Sequence, residues 1–210
     1  MDVQKAYNLW AQQYDTNDNK TRDLEGRAFR ETLSGYNFKH CLEIGCGTGK
    51  NTLWLKEMAE KIIAVDLSEE MLNKAKLKVR SDKVEFIQAD ILREWSFLNG
   101  EKFDLITFSL VLEHIENIDP IFQKMTSVIE PGGYVYIGEL HPFKQYAGSK
   151  ARFETEKGLM VVDCYNHHIS DFARTALRNG FTIENLNEYF DESNRTGLPR
   201  IIVLLLRKKD

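Results

Sequence analysis

Cysteine is scarce in this chain. Cys41, Cys46 and Cys164 are odd in number and show no metal-type spacing, so the sequence offers neither a disulfide framework nor a recognisable zinc motif, and the three read as reduced thiols of a cytoplasmic protein. Long apolar runs are missing too. The longest, Ile201 to Leu206, suits a central strand and falls far short of a membrane span, and Met1-Asp2-Val3-Gln4-Lys5 carries no apolar signal region. Charge of one sign is not in excess: a formal net charge of −4 and a pI near 5.8 leave no electrostatic footprint for nucleic acid. Internal repeats and low-complexity segments are absent as well. What is present is the composition of an ordinary globular protein, 42% hydrophobic and 29% charged over 210 residues, enough for one domain with a sizeable core.

One stretch organises the rest: Leu42-Glu43-Ile44-Gly45-Cys46-Gly47-Thr48-Gly49-Lys50-Asn51-Thr52. The apolar run from Cys41 to Ile44 reads as a buried strand, and a helix-forming segment, about 50–60, follows the glycines. A strand that turns through glycines into a helix leaves free backbone N–H groups and lets a ligand approach the main chain closely. Such a turn binds polar or anionic groups without naming them. A dinucleotide turn needs G-x-G-x-x-G, whereas here the third glycine comes one residue early and Lys50 takes the sixth place. The P-loop pattern G-x-x-x-x-G-K-[ST] is absent.

Ahead of this turn, Val3, Ala6, Tyr7 and Trp10 recur at helical spacing, predicting a helix over 2–13 and a second over about 23–33. Both precede the first strand of the sheet, which suits a lid over the ligand crevice. After the turn, strands and helices alternate, as in a parallel sheet covered on both faces. Strands are expected over about 40–44, 61–66, 84–88, 103–108 and 134–140, with Ser68 capping one helix and Pro120 in the first turn of another. His141-Pro142 opens an irregular excursion to about Gly158, and a short strand is expected over 159–163. Ser170-Asp171 caps a late helix that Gly180 stops. The linker 191–199 is too short for a helical crossover, so the last two strands, 181–189 and 200–207, must be antiparallel.

The pattern Glu43-x-Gly45-x-Gly47-x-Gly49 resembles the first motif of class I S-adenosylmethionine (SAM) dependent methyltransferases, firmly over about 37–140 and more loosely in the tail. The resemblance implies an α/β, Rossmann-like fold: a seven-stranded, mostly parallel sheet of order 3-2-1-4-5-7-6 with the last strand antiparallel, in a single domain. Within it, 1–36 would be the helical lid, 37–140 the SAM-binding core, 141–169 the substrate-side excursion and 170–210 the terminal helix and strand pair. Ligands of such sheets bind beyond the carboxyl ends of the strands. Asp66, about twenty residues past the glycines, is placed to accept both ribose hydroxyls. By resemblance Leu67 and Met71 border the adenine, Asp90 accepts from its amino group with Ala89 and Ile91 flanking it, and Glu43 organises the glycine loop. Gly45, Cys46, Gly47, Gly49, Ser109 and His114 complete the expected cofactor set. Asp66 sits at a strand end, so its replacement is expected to weaken cofactor binding and barely touch stability.

Methyl transfer from SAM, which becomes S-adenosylhomocysteine, is an in-line displacement that rests mainly on alignment. A base helps where the acceptor has a proton to lose. The candidates are His114 after the fourth strand, His141 after the fifth, and His167 and His168 before the late helix. Glu-x-His-Pro after strand five, with a histidine before the last helix, resembles a small-molecule subgroup of the family. Tyr7, Tyr14, Glu139, His141 and Tyr146 are the expected acceptor contacts, with Glu139 holding the second nitrogen of His141. The cations Lys144, Lys150, Arg152 and Arg195 read as a solvated face. Asp163, Cys164, His167 and His168 match no known zinc spacing, and no metal is expected. The partner is a small-molecule substrate, not nucleic acid or membrane, for a monomer or homodimer. Two alternatives stand beside this reading: a SAM-binding regulatory protein without catalysis, and a nicotinamide-dependent oxidoreductase, against which the displaced glycine, Asp90 and the antiparallel tail argue. The Asn/Asp-Pro-Pro-Tyr/Phe signature of nucleic-acid amine methylation is absent, Ser109-Leu110-Val111-Leu112 standing in its place.

Overall fold

The computed structural model describes residues 2–155, 158–192 and 194–209. Five parallel strands, β1 (Phe38–Ile44), β2 (Ala59–Asp66), β3 (Val84–Gln88), β4 (Phe103–Ser109) and β5 (Ile129–Leu140), run from the glycine turn outward. The excursion supplies a hairpin, β6 (Arg152–Thr155) and β7 (Gly158–Val161), and the chain ends in β8 (Phe181–Tyr189) and β9 (Ile201–Lys208). The main sheet has the order β3-β2-β1-β4-β5-β9-β8. Counted within that sheet alone, this is the expected 3-2-1-4-5-7-6, and β9 runs antiparallel to both neighbours. The order reverses between β1 and β4, which is where an open α/β sheet offers a crevice.

Among the described residues, seven α-helices accompany the strands: α1 (Val3–Trp10), α2 (Lys20–Leu33), α3 (Lys50–Leu55), α4 (Glu69–Lys78), α5 (Asp119–Val128), α6 (Pro142–Tyr146) and α7 (Ile169–Arg178). One apolar layer on each face of the sheet forms the core. On one side Ile44, Phe108, Phe122, Ile137 and Leu204 pack together; on the other Phe29, Leu33, Leu105, Tyr136 and Val203 do so. Ser68 caps α4 by accepting the Met71 N–H, as the sequence leads one to expect.

Four expectations need correction. Only α1 closes over the crevice: α2 lies on the sheet face through Leu24, Ala28, Phe29 and Leu33, and its buried Glu25 accepts from the Tyr136 hydroxyl. The helix after the glycines stops at Leu55, because Phe38 N–H bonds Met58 C=O and Ala59 pairs with Phe38, which starts β2 two residues early. The excursion is not irregular. It holds α6 and the β6–β7 hairpin, and the hairpin has an apolar face because Phe153 stacks on Trp10 at 4.9 Å. Finally, α7 begins at Ile169 with Asp171 accepting the His168 N–H, so His168 rather than Ser170 is the cap.

Candidate functional site: a crevice at the carboxyl ends of the parallel strands

A crevice of about 830 Å³, its open mouth included, lies beyond β1, β2, β3 and β4. This is within the range that holds drug-sized ligands. Gly45 and Gly47 form its floor, with φ of 70° and 54°, a backbone that L side chains avoid. A Cβ on Gly45 would lie 2.2 Å from Val111 Cγ2, so only glycine fits between the turn and the wall. A Cβ on Gly47 would meet nothing within 4 Å, so the bare backbone there faces open space that a ligand can reach.

Asp66 anchors this floor. One carboxylate oxygen accepts the Gly47 N–H at 2.8 Å and the other the Ser68 N–H at 2.8 Å. Burial raises its pKa, and these N–H groups work against that rise. Each oxygen keeps a second lone pair for a ligand hydroxyl. The strand-end aspartate therefore also holds the glycine loop, a second role that its place at the strand end did not reveal. Beside it, Leu67, Ala89, Ile91 and Leu92 give the crevice an apolar side, with Asp90 among them. One oxygen of Asp90 accepts the Leu92 N–H at 2.9 Å.

The other wall comes from the turn after β4 and from the lid. Ser109, Leu110, Val111, His114 and Ile115 face Val3, Gln4, Tyr7 and Tyr14 across the crevice. Leu110 holds a φ of 59°, uncommon for a non-glycine residue and a mark of functional strain. The imidazole of His114 sits between the Asp163 carbonyl and the Tyr7 hydroxyl, with Cys164 Sγ a longer 3.8 Å from Nδ1. Nδ1 is 2.9 Å from the Asp163 carbonyl, which can only accept, so Nδ1 carries the proton and Nε2 accepts the Tyr7 O–H at 2.9 Å. The lid also grips the glycine loop: Asp15 accepts from the Thr48 hydroxyl at 2.6 Å and from Lys78 at 2.7 Å.

Several expected site residues lie elsewhere. Met71 is fully buried in the lid core with Trp10 and Phe153 and does not border the crevice. Cys46 points into the core, where burial pushes its thiol well above the usual range, so the helix start does not activate it. Gly49 serves packing, since a Cβ there would stand 2.9 Å from Val79 Cγ2. Glu43 is buried behind the loop; burial raises its carboxyl to about 8, and its Oε2 has no hydrogen-bond partner.

The acceptor-side expectations change more. Glu139 is buried and accepts three backbone N–H groups, Val111 at 3.0 Å, Leu112 at 2.8 Å and Glu113 at 3.3 Å. It shapes the turn that presents His114, and its hydrogen bonds go to that turn rather than to His141. His141 is 0% exposed: Nδ1 accepts the Phe143 N–H that opens α6, and Nε2 bonds Glu188 at 3.0 Å. Both nitrogens are engaged by partners outside the crevice, and the ring caps a helix. His167 donates to the Leu112 and Ile115 carbonyls, bracing the same turn. His168 and Tyr146 bond each other on the exterior. Of the four candidate histidines only His114 lines the crevice. Lys144 and Arg195 pair with Asp191 and Glu188.

Missed from the sequence were Val3, Gln4, Ile44, Val65, Ser68, Leu92 and Ile115. Gln4 had a signal: it lies three residues before Tyr7 on a helix, hence on one face. Nothing in the sequence pointed to the positive φ of Leu110, whose N–H bonds the Gly138 carbonyl on the neighbouring strand.

Known proteins agree with this geometry. Residues 42–137 match the family profile described as a methyltransferase domain. An uncharacterized methyltransferase of Emericella nidulans is 28% identical, over 87% of this chain and 77% of its own length. A ubiquinone biosynthesis O-methyltransferase of Colwellia psychrerythraea is 26% identical, over 78% of this chain and 66% of its own. Among solved structures, an S-adenosylmethionine dependent methyltransferase from Mesorhizobium loti shares the fold with a TM-score of 0.72 at 19% identity, covering 88% of this chain and 98% of that one. The S-adenosylhomocysteine complex of DhpI does so with 0.76 at 21%, covering 98% and 94%. Residues 42–137 thus form a methyltransferase domain, and the glycine cradle, the aspartates at the end of β2 and just past β3, and the sheet order give it the fold of class I SAM-dependent methyltransferases.

Proposed function

We propose that the chain methylates a small organic acceptor held between the glycine floor and the N-terminal lid. The observation that carries this reading is the continuity of one crevice from Asp66 and Asp90 to Tyr7 and His114, which puts a nucleoside end and an acceptor end in the same space. In it Asp66 receives the ribose hydroxyls, Leu67, Ala89 and Ile91 enclose the adenine with Asp90 at its amino edge, and Gly45 and Gly47 lie against the amino-acid end. The bound SAM supplies a methyl group already activated on a sulfonium. The protein contributes alignment, worth up to roughly 7–11 kcal/mol of barrier, and the exclusion of water by α1 and the β6–β7 hairpin. The small size of the crevice and the ubiquinone O-methyltransferases among its relatives support a small-molecule acceptor.

S-adenosylhomocysteine should raise the melting temperature in proportion to the logarithm of its concentration, as a ligand of the folded state does, and NADH should not. Stabilisation by NADH alone would overturn the assignment of the crevice.

A further inference from the structure

From the hydrogen bonds around His114 we infer that Tyr7 and His114 form a proton relay, and that the acceptor is a neutral molecule carrying a phenol-type hydroxyl. The inference rests on the proposed function and deepens it. Five side chains that line the crevice can titrate: Tyr7, Tyr14, Asp66, Asp90 and His114. Asp66 and Asp90 already receive backbone N–H groups. The Asp163 carbonyl holds the proton of His114 on Nδ1, which leaves Nε2 as the neutral base of the site. That lone pair is reached through the Tyr7 hydroxyl, 2.9 Å away.

An acceptor O–H that donates to Tyr7 Oη gives up its proton there as the Tyr7 proton passes to His114 Nε2. The acceptor oxygen is left with the electron pair that bonds to the methyl carbon, the carbon–sulfur pair returns to sulfur, and the released proton rests on the imidazole. Tyr7 ends as it began. Burial raises its pKa well above the usual value, with Tyr14, Glu113, Cys164 and Asp66 adding to the rise, so it passes a proton without resting as a phenolate. Glu113, the residue before His114, is 5% exposed, its Oε2 has no hydrogen-bond partner, and burial raises its pKa while the neighbouring His114 works against that rise.

The substrate class follows from what surrounds the relay. No lysine or arginine stands among the described residues that line the crevice, so a phosphate or carboxylate acceptor finds no counter-ion. A neutral imidazole takes a proton from a phenol far more readily than from an aliphatic alcohol, which is much the weaker acid.

The test uses the full chain with S-adenosylhomocysteine bound and 4-nitrophenol as probe, at a pH below the probe's own pKa. The bound probe should absorb as the phenolate, and the side-chain 15N resonances of His114 should move from the Nδ1–H tautomer to the imidazolium. Tyr7→Phe, which keeps the ring packed on Trp10 and His114, should still bind S-adenosylhomocysteine but lose both signatures, and its turnover of a phenolic acceptor should fall 10²-fold or more. A probe that stays neutral in the wild type, that does not bind, or that ionises equally in Tyr7→Phe overturns the relay. In each of those cases retained S-adenosylhomocysteine binding leaves the methyltransferase reading standing. Loss of that binding in the wild type would instead strike the reading itself.

Discussion

Each oxygen of Asp66 already holds one backbone N–H, and each has one lone pair left for a ribose hydroxyl. Asp66→Ala is therefore expected to act twice. S-adenosylhomocysteine affinity should fall by about 1.5–3 kcal/mol, as for hydrogen bonds to a charged group, and the free protein should lose about 1–3 kcal/mol because two N–H groups lose their acceptor. Calorimetric titration and denaturant melts separate the two effects. His141 makes the opposite case. Its ring is sealed between Phe143 N–H and Glu188, so His141→Ala should cost about 1–3 kcal/mol of stability and leave turnover per folded molecule within about twofold. A 10²-fold loss of rate at normal stability would return His141 to the candidate bases.

The lid is a joint product of two elements far apart in the chain. α1 offers Trp10, the β6–β7 hairpin offers Phe153, and their rings stack at 4.9 Å with an interplanar angle of 12°. Met71 from α4 and Val162 complete the cluster. Below it the Asp15–Thr48–Lys78 contacts tie the end of the lid to the glycine loop. Phe153→Ala removes the hairpin's share of this core, at a cost of about 3–5 kcal/mol in a rigid core. Because the hairpin is peripheral, the loss should appear as local opening. Hydrogen exchange should accelerate in α1 and β6–β7 and stay unchanged in β1, β4 and β5. Uniform acceleration across the sheet would show that the lid and the sheet open as one unit.

At the scale of the whole molecule, buried acids set the pH response. Burial raises Glu43 to about 8, and Glu25, Glu113 and Asp66 shift the same way. An acid raised in the folded state keeps its proton where the unfolded chain has lost it. Its contribution to stability therefore falls as pH climbs from its ordinary value of 4.5 toward about 8, and is flat below and above that window. Asp15, Asp23, Asp171 and Asp191 are lowered and work in the other sense, favouring the folded state above the usual carboxylate range and losing that contribution as pH falls. Glu43→Gln cancels one of the destabilising contributions. Relative to wild type it should gain stability progressively between about pH 5 and 8, as read from urea melts at a series of pH values. A constant offset across that range would mean that Glu43 ionises normally.

Local pattern was enough for the sheet. The apolar runs and the length of the 191–199 linker determined the strand–helix alternation and the antiparallel end, because these depend on neighbours in sequence and on the few ways strands can connect, while the strand order and the cofactor side of the crevice came with the family resemblance that the glycine spacing carries. The acceptor side was decided by tertiary structure. Glu139 and His141 look alike in the sequence, two polar residues at the end of one strand. What separates them from the crevice is the turn after β4 that Glu139 caps and the Glu188 side chain that His141 meets, both distant along the chain. His114 and Tyr7 stand 107 positions apart and become partners only because α1 folds back over the carboxyl ends of the strands. A side chain's type and spacing can be read from the chain, but which lone pair remains free is settled by what packs against it.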